Sequence, residues 1–127
     1  MDWSKLRGTP LINDQEEDID AFDALCLKHG FEPPAWSGVG AGWLPILDVL
    51  FGRLRAAGVT SLGQVKEKFG TLRVYVGDVD SQAVIEAALK EAEAASAVTC
   101  EDCGRPGKIR AGGWLRTLCD SCKGDQA

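Results

Sequence analysis

Two short cysteine pairs constrain this chain more than any other feature. Cys100-Glu101-Asp102-Cys103 and Cys119-Asp120-Ser121-Cys122 have the form C-x2-C, fifteen residues, C-x2-C. Each pair can wrap one edge of a tetrahedral ion, and a hairpin between them can bring the two pairs together. Four thiolates at about 2.3 Å suit Zn²⁺. Gly104 follows the first pair, where a tight knuckle favours a residue without Cβ. Lys108-Ile109-Arg110 and Leu115-Arg116-Thr117 read as the two strands of the hairpin, turned at Ala111-Gly112-Gly113-Trp114. The expected ligands are Cys100, Cys103, Cys119 and Cys122, holding one structural Zn²⁺. Protein fills all four positions, so no open position is left for catalysis. Two disulfides or a redox C-x-x-C are the competing readings. A reducing compartment disfavours the first, and the second needs a single pair in a βαβ setting.

The other residues must supply a core. With 127 residues, 45% apolar and 26% charged, the chain has the size and composition of one globular domain with a small appendage. The pattern predicts an α+β fold: a helical and β-hairpin core over residues 1–98 and a C-terminal zinc ribbon over 99–127. A first helix is expected over 13–30. Asn13 and Glu16 form a capping box, Glu16, Glu17 and Asp18 complement the helix dipole, Ile19, Phe22, Leu25, Cys26 and His29 share a stripe, and Gly30 ends it. A second helix is expected over 44–57, with Pro45 in its first turn and Ile46, Leu47, Val49, Leu50, Phe51 and Leu54 making it the central core helix. A β-hairpin is expected over 64–76, with Gly70-Thr71 in a type II′ turn. That register sets Phe69 opposite Leu72, Glu67 opposite Val74 and Val65 opposite Val76, with Lys68 opposite Arg73 and Lys66 opposite Tyr75 on the other face. A third helix is expected over 81–97, capped by Asp78, Asp80 or Ser81, with Ile85, Ala88, Leu89 and Ala92 buried.

Several function classes are disfavoured. The formal charge is −5, and residues 1–34 hold that whole excess, which speaks against a general nucleic-acid coat protein. The segment Ser37-Gly38-Val39-Gly40-Ala41-Gly42 matches neither a phosphate loop nor a dinucleotide fingerprint. With His29 as the only histidine, three-histidine, His-Glu-x-x-His and histidine-containing deaminase sites are excluded. Cys26 lies on a helix stripe and reads as a small core residue, not a nucleophile. The start of the chain has no charged-then-apolar signal pattern, and its longest apolar stretch is too short to span a bilayer. A cytoplasmic chain without membrane association is the expectation, and no enzymatic activity is expected.

Gly42-Trp43-Leu44-Pro45-Ile46-Leu47, Gln64-Val65-Lys66-Glu67-Lys68-Phe69-Gly70-Thr71-Leu72-Arg73-Val74-Tyr75, Cys100-x-x-Cys103-Gly104 and Gly113-Trp114-Leu115-Arg116-Thr117-Leu118-Cys119-Asp120 occur in that order. In this combination the chain resembles, over residues 38–122, a family of short proteins encoded by bacteriophages and bacterial genomes. The resemblance implies a phage context and a zinc ribbon. Where that family often has an acidic residue before the Gly-Trp pair, Ala41 stands here, and where its last ligand is often histidine, Cys122 stands here. A weaker likeness, as analogy only, is to the DksA/TraR zinc fingers that act on RNA polymerase.

The expected function is a non-enzymatic protein-binding module whose partner is a host or phage protein, acting as an inhibitor or modulator of a host complex or defence system. The alternative is a nucleic-acid-binding or transcription-regulating zinc ribbon. The candidate partner-binding residues are Lys66, Lys68, Arg73 and Tyr75 on the outer hairpin face, and Trp114 in the ribbon turn.

Overall fold

The structure is a computed structural model that describes residues 20–35, 37–77, 82–110 and 115–123. Its elements are α1 (Ala21–Lys28), a 3₁₀ turn (Ala41–Trp43), α2 (Leu44–Ala56), β1 (Ser61–Lys68), β2 (Thr71–Gly77), α3 (Ala83–Ser96), β3 (Lys108–Arg110), β4 (Arg116–Leu118) and the short α4 (Asp120–Lys123). The strands form two separate antiparallel hairpins, β1-β2 and β3-β4, so the fold is α+β. No helix among the described residues is long and apolar enough to cross a membrane.

Helix α2 reaches the core through one stripe and not a wide arc, and Val49, expected in the core, is 65% exposed. Leu47, Leu50, Phe51 and Leu54 are all buried. Each such side chain taken out of water contributes about 1.5–3 kcal/mol. Pro45 sits in the first turn, where its missing N–H leaves no bond unmade, and Gly58 takes φ +97° just past the end. Helix α3 buries Ile85, Ala88, Ala92 and Ser96, with Leu89 partly buried against the same core. Ser96 ties that helix to the hairpin: its hydroxyl accepts from the Leu72 N–H at 2.8 Å and donates to the Glu93 carbonyl at 2.6 Å. A two-stranded hairpin is marginal alone. Here Val65, Leu62 and Leu72 bury their side chains in the common core.

Helix α1 differs from its expected span. It begins at Ala21, because Asp20 has an extended backbone (φ −73°, ψ 170°) and its carboxylate accepts the Asp23 N–H at 2.9 Å. Asp20 is therefore the N-cap of this helix. The Asn13–Glu16 capping box and Ile19 lie outside the described residues, as do Asp78, Asp80 and Ser81. Helix α3 starts at Ala83, later than expected, because Gln82 has an extended backbone and is its N-cap, without a side-chain cap bond. Phe22 and Cys26 are buried as expected. His29 closes α1 and is held from α2: its Nε2 is 2.7 Å from Asp48, and its ring meets the edge of Phe51 at 6.1 Å between centroids.

The first hairpin also differs from the expected register. Lys68 pairs with Thr71, Glu67 with Leu72, Lys66 with Arg73, Val65 with Val74 and Gln64 with Tyr75. The two turn residues are Phe69 (φ +55°) and Gly70 (φ +87°), both left-handed, which is a type I′ turn and not the type II′ turn at Gly70-Thr71. An irregularity between Leu62 and Gln64 then returns Leu62 to face Val76. Two contacts fix Gly70 as the second turn residue. Its N–H donates to the Glu67 carboxylate at 2.6 Å, and its carbonyl accepts the Thr117 hydroxyl at 2.6 Å. The pairing is displaced by two residues, an even step, so the side chains keep their faces. Lys68 does not oppose Arg73. The like-charged cross-strand pair is Lys66 with Arg73.

Candidate metal centre

The first cysteine pair sits on a knuckle. The Cys100 N–H donates to the Arg105 carbonyl at 2.7 Å and the Gly104 N–H to the Cys100 carbonyl at 2.9 Å, with Gly104 at φ +85°. A side chain would strain that position. The second pair begins at Cys119, where β4 ends, and closes on the single turn of α4, with the Cys122 N–H 3.4 Å from the Cys119 sulfur. Strands β3 and β4 pair Lys108 with Leu118, Ile109 with Thr117 and Arg110 with Arg116, which brings the knuckles together.

The four sulfurs all lie within 4.8 Å of one another. Those of Cys103 and Cys119 are 3.6 Å apart. A tetrahedron with metal–sulfur bonds of about 2.3 Å has edges of about 3.8 Å, so the donors are spaced for one ion. All five cysteines are free thiols. Burial opposes ionisation of Cys100, yet N–H groups of Cys103, Cys119 and Asp102 outweigh it and hold the thiol down to about 6. Cys122 is pushed the other way, up to about 12, first by its hydrogen bond with Cys119 and then by Cys100 and Cys103. Sulfurs this close cannot all ionise unaided, and a bound dication supplies the charge that lets them. The cluster therefore fits a zinc-binding module.

The glycine segment before α2, which matched no ligand motif, is the seat of this centre. The Gly42 N–H donates to the Glu101 carbonyl at 2.7 Å, and the Gly40 N–H to the Glu101 carboxylate at 3.0 Å. The Trp43 indole N–H donates to the Thr99 carbonyl at 2.8 Å, while its ring is fully buried in the core. A methyl on Gly42 would overlap the Cys100 carbonyl and the Gly104 nitrogen, and one on Gly40 would overlap the Glu101 carbonyl. The glycines permit two backbones to touch. Glu101 is buried, and burial raises its carboxyl above the ordinary range despite the Gly40 N–H. Nothing local in the sequence links residue 42 to residue 100; the signal was a Gly-x-Gly-Trp run without a phosphate-binding continuation.

The two arginines on the ribbon strands are matched to acids. Arg110 pairs with Asp120 at 2.7 Å and Arg116 with Asp102 at 2.8 Å. On the first hairpin, Lys66, Lys68, Arg73 and Tyr75 share the outer face as expected. Arg73 reaches Glu93 at 3.5 Å. Lys66 lies over the Tyr75 ring at 5.8 Å, and Lys68 over the Phe69 ring at 5.6 Å. Trp114 lies outside the described residues. Comparison with family models, with curated proteins and with solved structures gives no match.

Thiol reactivity should separate the cysteines. With metal bound, a disulfide reagent such as DTNB is expected to find almost no free thiol. Adding a chelator should release the four clustered thiols, and only denaturant should release Cys26, which is fully buried with its thiol pushed up to about 11, chiefly by burial. Five thiols titrating before chelation would contradict the assignment.

Proposed function

We propose that the chain is a small zinc-stabilised, non-enzymatic protein-binding module. It works in the cytoplasm in a phage-related setting and modulates a host complex or defence system. The observation that carries the protein-binding reading is how the charges and apolar groups are disposed. Arg53, Arg73, Arg110 and Arg116 are held by Glu91, Glu93, Asp120 and Asp102, while Phe69, Tyr75, Ile109 and Leu115 are exposed. Arginines tied to internal carboxylates are poorly placed to follow a phosphate backbone, whereas exposed aromatic and aliphatic groups with a polar rim are the usual material of protein interfaces. The metal's part is structural, because a centre ligated by four thiolates of the chain holds no position open to substrate. The phage setting is supported by the ordered motifs alone.

Affinity capture from bacterial lysate, repeated after nuclease treatment, tests this reading. A stoichiometric protein partner retained after nuclease is the expected result. A partner lost on nuclease treatment, with binding that falls steeply with salt, would replace it with the nucleic-acid reading.

A further inference from the structure

The type I′ turn of the first hairpin has an unsuitable residue in it. Both central positions of such a turn need φ above zero, and Asn, Asp or Gly is favoured at the first. Here that position is Phe69, at φ +55°. A bulky side chain in the left-handed region is an outlier that the surroundings must enforce. They do so through Gly70, which is buried and gripped on one side by Glu67 and on the other by Thr117 of the ribbon. The enforced conformation does not place the ring in the core. Phe69 is 64% exposed.

The surroundings of the ring are consistent with a contact surface. The Ile109 side chain lies beside Gly70, within 3.4 Å of where a Cβ on that glycine would stand, and is itself 45% exposed. Lys68 lies over the Phe69 ring, and Lys66, on the same face of β1, lies over the Tyr75 ring. Among the described residues neither lysine has an acidic partner. Two unneutralised ammonium groups beside an uncovered aromatic and aliphatic cluster are complementary to carboxylates next to an apolar side chain.

We infer that the Phe69 turn, with Ile109, Lys66 and Lys68, is the docking site for an acidic protein segment with an apolar anchor. The anchor seats against Phe69 and Ile109, and its neighbouring carboxylates meet the two lysines. The inference rests on the protein-binding reading and adds the site and the chemistry of the partner. Since the turn is held by Thr117, the docking surface depends on a folded ribbon.

The test selects random dodecapeptides on the full zinc-loaded chain alone, then measures every selected peptide on that chain and on the Phe69→Asn chain, with a thymidine oligonucleotide as second probe. Phe69→Asn creates the Asn-Gly pair that the turn prefers. It is expected to keep or raise the thermal midpoint while weakening the selected peptides at least tenfold. Selected peptides should carry Asp or Glu beside Leu, Ile, Phe or Trp, and Lys66→Glu with Lys68→Glu should weaken them several-fold. A lowered midpoint in Phe69→Asn would overturn the inference, since Phe69 would then serve the fold. Peptides bound equally by both chains would overturn it while leaving the protein-binding reading intact. Oligonucleotide binding at this face without peptide binding would overturn both.

Discussion

Cys103→Ser should yield a chain that no longer holds zinc. A hydroxyl does not replace a thiolate at this ion, and structural zinc sites contribute an apparent 10–16 kcal/mol, roughly, to folding at neutral pH. Within itself the ribbon has little else to hold its fold. Its strands are three residues each, and its buried apolar cluster consists of Cys100, Leu118 and Cys119, with Cys122 packed alongside. Two of those buried residues belong to the four-cysteine cluster, so losing an ion held there removes both the cross-link and most of the reason for burial. Helices α1 to α3 have their own cluster, built on Phe22, Phe31, Trp43, Leu47, Phe51 and Ile85. Far-ultraviolet circular dichroism should therefore retain most of its helix signal while metal analysis falls from one zinc per chain to near none. A Cys103→Ser protein with one zinc and unchanged thermal unfolding would remove Cys103 from the site.

Gly42→Ala should destabilise the protein by about 3 kcal/mol, the upper end of what overpacking typically costs. The added methyl meets backbone on every side: the Cys100 carbonyl, the Gly104 nitrogen and the Glu101 carbonyl carbon. No rotamer change relieves a clash with backbone, so the loop and the knuckle must separate. That would break the Gly42–Glu101 hydrogen bond and tilt the first cysteine pair, and zinc affinity should fall with stability. Gly52→Ala is the contrasting case. Its methyl would sit 3.6 Å from the His29 ring, an ordinary contact, in the middle of α2. Alanine there should stabilise by up to about 1 kcal/mol through helix propensity. Chemical denaturation of both variants decides the matter. If they behave alike, the close approach at Gly42 is not a constraint.

The parts that were legible before the structure share one property: their determinants are close together along the chain. The cysteine spacing is a local geometric code, so the clustering of Cys100, Cys103, Cys119 and Cys122 could be read directly. The period of Leu47, Leu50, Phe51 and Leu54 and the terminal Gly58 placed α2 almost to the residue. The faces of the first hairpin were also legible, because alternation survives an even displacement. Its register was not. Of the two contacts that hold Gly70 as the second turn residue, one comes from Glu67 nearby and the other from Thr117, which is 47 residues away. The start of α1 was misplaced because two capping signals compete, Asn13 with Glu16 and Asp20 with Asp23, and only the second lies among the described residues. The role of Gly40 and Gly42 was hidden for the same reason as the register. A glycine that makes room for a distant backbone looks, in sequence, like one that bends its own.

The seam between the glycine segment and the first knuckle also sets an order of events during folding. Gly40 and Glu101 are 61 residues apart, and Trp43 and Thr99 are 56 apart. Closing so long a loop carries a larger entropic penalty than closing the short one between the cysteine pairs. Contacts of large sequence separation form late unless earlier structure has already brought their ends together. Metal capture, which needs only nearby residues, can thus precede docking of the ribbon. The Thr99 acceptor of the Trp43 indole is tied by its hydroxyl to the Ala95 carbonyl at the end of α3, so the helical core can set that bond in place before the metal-bound ribbon docks.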